Sequence, residues 1–221
     1  MRDRTRAREL ADEFNRKGDP TGWFEALYRE AEEGKSTVPW LDYHPTPHLV
    51  GFWMLHPQQT AGKSALVVGS GGGDDAEQLA AWGFRTTAFD ISETAIRSTR
   101  KRFPNSAVDY HIANLLDPPT PWRGQFDFVF EANTLQVLRA ALRRQATKNI
   151  AAFLRPGGLL LVIARSREPS DPEGQMPWPL TRAEISAFAV LGLEELLFDI
   201  LPDVEEPEVR RFRVLFRLPQ T

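Results

Sequence analysis

The stretch ALVVGSGGGDDAEQLAAWGF, residues 65–84, constrains the fold more than any other part of the chain: an apolar run, four glycines within five residues, then an amphipathic helical pattern. A buried strand that feeds a helix through Gly69, Gly71, Gly72 and Gly73 makes a tight turn in which no Cβ separates the backbone from a ligand. The helix start behind it offers unpaired amides.

Beyond this turn, short apolar runs alternate with helical patterns, which predicts a mostly parallel sheet covered by helices. Strands are expected at 65–68, 86–90, 108–112, 126–131 and 159–164. Residues 193–200 and 211–218 are two further strand-like runs with only a loop holding Pro202 and Pro207 between them. No helix fits in that loop, so the two form an antiparallel pair at the sheet edge. The fold class is therefore α/β, a Rossmann-like doubly wound sheet of seven strands with the last one antiparallel. Residues 1–60, rich in aromatics, histidine and proline toward their end, read as an N-terminal helical and aromatic extension; residues 61–221 read as the ligand-binding part of what is one structural domain.

Composition narrows the function classes. A formal charge of -3 argues against a broad footprint on nucleic acid, which needs clustered basic charge. With no cysteine, thiol catalysis, disulfides and cysteine-ligated zinc are excluded. No run approaches the roughly 20 apolar residues of a membrane span, and the opening MRDRTRARELADEF lacks a signal-peptide core, so a cytoplasmic protein without a membrane partner is expected. Arg2, Arg4, Arg6 and Arg8 with Leu10 and Phe14 predict a solvated amphipathic helix.

The turn departs from the dinucleotide pattern G-x-G-x-x-G, because counting from Gly69 puts Asp74 at the final glycine. Asp74 and Asp75 at the helix start would repel a pyrophosphate and suit a ligand with a cationic amino group; they would equally complement the helix dipole. Asp90, ending the next strand, lies at the interval expected for a carboxylate that accepts ribose hydroxyls, a feature shared with nicotinamide enzymes. Asn114 at the end of the third strand is placed to meet an adenine edge, flanked by Ile91 and Leu115. Glu131 ends the fourth strand, placed to meet the cofactor or substrate; Asn133 beyond it reads as a loop residue.

These segments, VVGSGGGDDAEQLA, TAFDIS, IANLL, FDFVFEANTLQVL and FLRPGGLLLVIA, together resemble class I S-adenosylmethionine-dependent methyltransferases over residues 65 to about 218. The resemblance implies that Gly69, Ser70, Gly71 and Gly73 pass beside the methionine part of S-adenosylmethionine, that Asp90 holds its ribose, and that Asn114 and Leu115 border its adenine. The product is S-adenosylhomocysteine. Many members carry an acid two residues before the first glycine; here that position is Val67, and the amino-group contact falls to Asp75 or Asp74. The segment before the first strand, with Pro39-Trp40 and Tyr43, is similar to the thiopurine and thiol or halide methyltransferase-like branch and implies a lid over the methyl donor.

Methyl transfer is an in-line displacement that needs alignment in a dry pocket, with a base required only for protonated nucleophiles. Candidate bases or orienting groups are His44, His48 and Glu131, whereas His111 lies within a strand. Trp23, Tyr43 and Trp178 are candidate acceptor contacts with His48, and Trp40 a candidate donor contact. Phe52 and Trp53 read as a packing face. The loop with Met176, Trp178 and Leu180 would close over the acceptor. Acidic residues are too scattered for a metal site. The expected activity is methyl transfer to a small-molecule S, N or O nucleophile; an NAD(P)-dependent oxidoreductase and a non-catalytic S-adenosylmethionine-binding scaffold are the alternatives.

Overall fold

The computed structural model describes residues 3–57 and 59–220; Arg2 of the opening arginine series lies outside them. Seven strands form one sheet: β1 (Ser64–Val68), β2 (Arg85–Asp90), β3 (Asp109–Ile112), β4 (Phe126–Ala132), β5 (Leu154–Arg165), β6 (Glu194–Pro202) and β7 (Arg210–Arg217). Their order is β3-β2-β1-β4-β5-β7-β6. Only β7 runs against the others, inserted between β5 and the edge strand β6. The expected terminal hairpin is therefore present, with its second strand interior.

Strand alternation sorts the apolar side chains onto two faces, as a period of two requires. Leu66, Val68, Val129, Leu160 and Val162 pack with Ile150 and Phe153 of α6 (Ala140–Phe153), Ile185 of α7 (Arg182–Ile185) and Phe188 of α8 (Ala187–Val190). Ala65, Val67, Phe128, Phe130, Leu161 and Ile163 pack with α3 (Pro47–Leu55), α4 (Asp74–Ala81) and α5 (Glu93–Arg102). Phe52 and Trp53 belong to this second core; the Trp53 ring stacks on Trp82 at 5.0 Å. Thus α3 is sheet packing, and the cover over the strand ends comes from α1 (Thr5–Arg16), α2 (Gly22–Glu32) and residues 38–46.

The first helix is less solvated than its charges suggest. Ala7, Leu10 and Ala11 are buried with Trp23, Leu27 and Tyr28 of α2 in a third cluster, because small residues on one face let the helices approach closely. Helix α2 is held against α5 by carboxylates, Glu32 pairing with Arg97 at 2.6 Å and Glu25 capping the helix start. Glu25 accepts from the Ser92 hydroxyl (2.6 Å), the Thr94 amide (3.1 Å) and the Thr94 hydroxyl (2.7 Å) at the start of α5, where exposed amides favour an anion.

One strand is longer than its sequence indicates. β5 begins at Leu154, before Pro156-Gly157-Gly158, because a register shift between Phe126 and Phe128 lets Leu154 pair with Phe126.

Candidate functional site

The carboxyl ends of β1 to β5 and the start of β7 meet in one cleft under the cover formed by α1, α2 and residues 38–46. This is the position in which open α/β sheets bind ligands. Gly69, Ser70, Gly71, Gly73, Asp74, Asp75, Asp90, Ile91, Asn114 and Leu115 all line it, with Trp40 and His44 from the cover.

The glycine turn is demanding. Gly73 has φ 86°, and a Cβ there would stand 2.5 Å from Thr99 Cγ2 and 2.7 Å from the Tyr110 hydroxyl; at Gly69, φ 61°, it would meet Thr134 Oγ1 at 2.4 Å. Both are left-handed positions that a side chain would strain as well as crowd. Asp90 ties the turn to β2: its Oδ2 accepts the Gly71 amide and its Oδ1 the Ser92 amide, each at 2.9 Å. Burial raises the Asp90 pKa, and these amide bonds hold it back. A carboxylate offers about four acceptor sites, so ribose hydroxyls still find lone pairs on it.

Tyr28 and Trp40 cap the turn. Trp40 Nε1 donates to the Tyr28 hydroxyl at 2.9 Å, and that hydroxyl lies 3.1 Å from where a Gly71 Cβ would be. Burial and the nearby Asp90 charge raise the Tyr28 pKa well above its ordinary value, keeping it a neutral partner. Among the described residues, the buried Ser70 hydroxyl makes no hydrogen bond, which leaves one polar atom in the turn for a ligand. Asn114 Oδ1 accepts the Leu116 amide at 2.9 Å.

The two acids after the glycines face other partners. Asp74 is held by both terminal nitrogens of Arg102, each at 2.6 Å. Asp75 accepts the Thr46 amide at 2.7 Å and its hydroxyl at 2.9 Å; burial nonetheless pushes its pKa up to about 6. Their carboxylates thus brace the turn against α5 and against the segment leading into α3, which weakens the geometric case for either as an amino-group acceptor.

Several sequence candidates stand away from the cleft lining. Glu131 is fully buried; its Oε1 accepts the Thr134 (2.7 Å) and Leu135 (3.0 Å) amides, its Oε2 has no hydrogen bond among the described residues, and burial lifts its pKa to about 7. It shapes the β4 tip from beneath instead of facing a ligand. Trp23 is buried against Phe24, Tyr43 is 65% exposed outside the lining with Arg102 over its ring, and Trp178 sits under Arg139. His48 is on α3, where burial and then Arg211 and Arg213 lower its pKa. His44 does line the cleft, with Nδ1 3.0 Å from the Pro45 carbonyl. Asp42, His44 and Glu205 bring donor atoms within 4.8 Å of one another, all exposed; such groups are common as solvated clusters without an ion.

Sequence reasoning missed Phe24, Tyr28, Thr134, Gln136, Arg4, Arg165 and Arg211, all in the lining. Arg165 and Arg211 had a usable signal: one ends β5 and the other follows the antiparallel reversal, so both belong at the ligand edge of the sheet. Arg4 had none.

Residues 65–158 match the family described as a methyltransferase domain. A ubiquinone biosynthesis O-methyltransferase of Aromatoleum aromaticum is 30% identical over 147 residues, 66% of this chain and 56% of that protein. A probable S-adenosylmethionine-dependent methyltransferase of Mycobacterium tuberculosis is 31% identical over 164 residues, 72% of this chain and 58% of that protein. The chain thus spans less than two thirds of these curated relatives' length. The N-methyltransferase NodS from Bradyrhizobium japonicum, solved with S-adenosylhomocysteine, superimposes with a TM-score of 0.68 at 21% identity, covering 89% of this chain and 100% of that one, a likeness of fold. Residues 65–158 thus match a methyltransferase domain, and the sheet order with the solved neighbour gives the fold of class I S-adenosylmethionine-dependent methyltransferases.

Proposed function

We propose that this protein binds S-adenosylmethionine at the β1–β2–β3 end of the cleft and transfers its methyl group to an S, N or O nucleophile of a small molecule. The observation that carries the reading is the Gly69–Gly73 turn clamped by Asp90, with Tyr28 and Trp40 closing over it and the Ser70 hydroxyl left for a ligand. When bound, S-adenosylmethionine supplies a methyl carbon activated by a sulfonium leaving group. Asp90 is assigned the ribose hydroxyls, Asn114 with Ile91 and Leu115 the adenine, and the glycine turn the methionine part. Helices α1 and α2 exclude water. His44 is the candidate to take a proton from an acceptor that carries one, since it alone of the candidate bases lines the cleft. The cover with Pro39-Trp40 supports an affinity with the thiopurine and thiol or halide methyltransferase-like branch. A small cytoplasmic acceptor, without nucleic acid or membrane partners, is the sequence-based part of this reading; no helix among the described residues is long and apolar enough to cross a membrane.

A nicotinamide enzyme would share Asp90, but β7 inserted antiparallel between β5 and β6 differs from the all-parallel dinucleotide sheet. Calorimetric titration with S-adenosylmethionine, S-adenosylhomocysteine and NAD(P)H tests the reading. Binding of the first two is expected; preference for the third sinks it. Donor binding without turnover on a panel of thiols, amines and phenols would favour the scaffold alternative.

A further inference from the structure

The other end of the cleft is chemically unlike the donor end. Arg165, the last residue of β5, stands directly across the antiparallel ladder from Arg211 of β7. Like charges directly opposite on a sheet are destabilising, and more so when water is kept away. Here the two side chains are only 13% and 14% exposed. A third guanidinium, Arg4 from the residues preceding α1, joins them, and all three line the cleft.

Two carboxylates from the β6–β7 connection offset part of this charge. Glu206 accepts from both Arg4 (3.4 Å) and Arg165 through the same oxygen, and Asp203 accepts from Arg211 Nε. Burial alone pushes Asp203 up, but the Glu206 amide and Arg211 bring its pKa down to about 2, so it stays charged. Among the described residues, three guanidinium groups against two buried carboxylates leave one positive charge without a buried counter-ion. Asp42 and Glu205 stand at the exposed mouth, where water and salt screen them.

The arginines are also aimed. Arg211 Nη1 donates to Asn133 Oδ1 at 2.6 Å, and Asn133 holds a left-handed conformation, φ 67°, to present that oxygen. Gln136 binds the same oxygen through Nε2 at 3.0 Å and accepts the Arg165 amide through Oε1 at 2.6 Å. Among the described residues, Arg165 Nε and Nη1, Arg211 Nη2 and Arg4 Nη1 donate to nothing. Planar donor forks of this type match carboxylate and phosphate oxygens.

We infer that the methyl acceptor carries an anionic oxygen group, a carboxylate or a phosphate, which docks on Arg165 and Arg211 while Arg4 closes over it. The inference rests on the methyl-transfer reading for the word acceptor and on the arginine geometry for the charge. It places the anionic group at the β5–β7 tips and the nucleophile toward the β4 tip, between that group and the donor end.

The test uses calorimetry on the full chain, with and without S-adenosylhomocysteine. The probes are 3,4-dihydroxybenzoate against its methyl ester and phenyl phosphate against phenol, at low and moderate salt. The charged member of at least one pair is expected to bind about tenfold or more tightly than its neutral partner, the advantage shrinking with salt. Which pair shows it separates carboxylate from phosphate. Arg211→Met is expected to reduce the advantage to about threefold or less, with the S-adenosylhomocysteine affinity as its fold control; if that variant misfolds, Arg165→Lys, which keeps charge and loses the fork, is expected to give an intermediate loss. Equal binding of charged and neutral probes, binding of neither, or an advantage that survives both substitutions overturns the inference. Failure of S-adenosylhomocysteine to bind while the anion preference persists would instead overturn the methyl-transfer reading alone.

Discussion

The two ends of the cleft are built by different means. At the β1–β2–β3 end, the carboxylates find partners no more than 29 residues away, Asp90 on the Gly71 and Ser92 amides, Asp74 on Arg102 and Asp75 on Thr46. At the β4–β5–β7 end, side chains from remote parts of the chain meet: Arg4 pairs with Glu206 from 202 residues away, Arg165 with the same carboxylate from 41, and Arg211 donates to Asn133 from 78. The first arrangement fixes the shape of the glycine turn. The second can be rewritten by single substitutions without disturbing the turn.

The largest effect that would break this contrast lies in the turn. Gly73→Ala adds left-handed strain to a contact at 2.5–2.7 Å, so a loss of roughly 2–5 kcal/mol in unfolding free energy is expected by denaturant titration. A cost below about 0.5 kcal/mol would mean that the turn is not rigid. Next, Asp90→Ala is expected to weaken S-adenosylhomocysteine binding about 10–100-fold by calorimetry, as removal of a charged hydrogen-bonding group costs roughly 1.5–3 kcal/mol. Unchanged affinity would refute its ribose role.

The third expectation concerns pH. Burial raises the folded pKa of Glu131 from 4.5 to about 7, so the folded state holds a proton that the unfolded chain releases. Its contribution is fully present below pH 4.5, declines as pH rises toward 7, and is flat above. Asp75 acts in the same sense between 3.8 and about 6, whereas Asp203, with its lowered pKa, acts oppositely and only in acid. Thermal unfolding should therefore show a Tm that falls by roughly 2–5 °C between pH 6 and 8, and Glu131→Gln should remove most of that fall. A slope unchanged by the substitution would show that the buried carboxyl is not its source.

The smallest effect is expected at the remote end. Glu206→Gln keeps the shape and removes the charge that ties Arg4 to Arg165, so about 1 kcal/mol of stability should be lost. Amide exchange should quicken at the start of α1, with S-adenosylhomocysteine affinity changed by less than about threefold. A large loss of that affinity would erase the distinction between the two ends.

The same contrast explains what the sequence revealed. Strand positions, the hairpin and the cleft-lining place of Gly69, Asp90 and Leu115 were legible, because each follows from local periodicity or from a strand end. Glu131 was placed at the cleft because it ends a strand, yet its side chain alternates inward and is captured by the next turn's amides. Asp75 was read by its neighbours in sequence, whereas its partner Thr46 is 29 residues earlier. Tyr28 and Arg4 carry no local signature; only helix packing brings them over the strands. Trp23 and Trp178 failed as cleft contacts for a related reason, since aromatic character does not say which face of a cover points inward.

The insertion of β7 between β5 and β6 has a consequence for biogenesis. The sheet accepts its seventh strand in sequence as its sixth in space, so an emerging chain that has produced only residues up to 209 carries β5 with an open edge and β6 without a neighbour. The donor end is already complete in sequence by then, while the Arg165–Arg211 pair does not yet exist. The two ends of the cleft therefore become available at different points of synthesis, the glycine turn with Asp90 before the arginine pair.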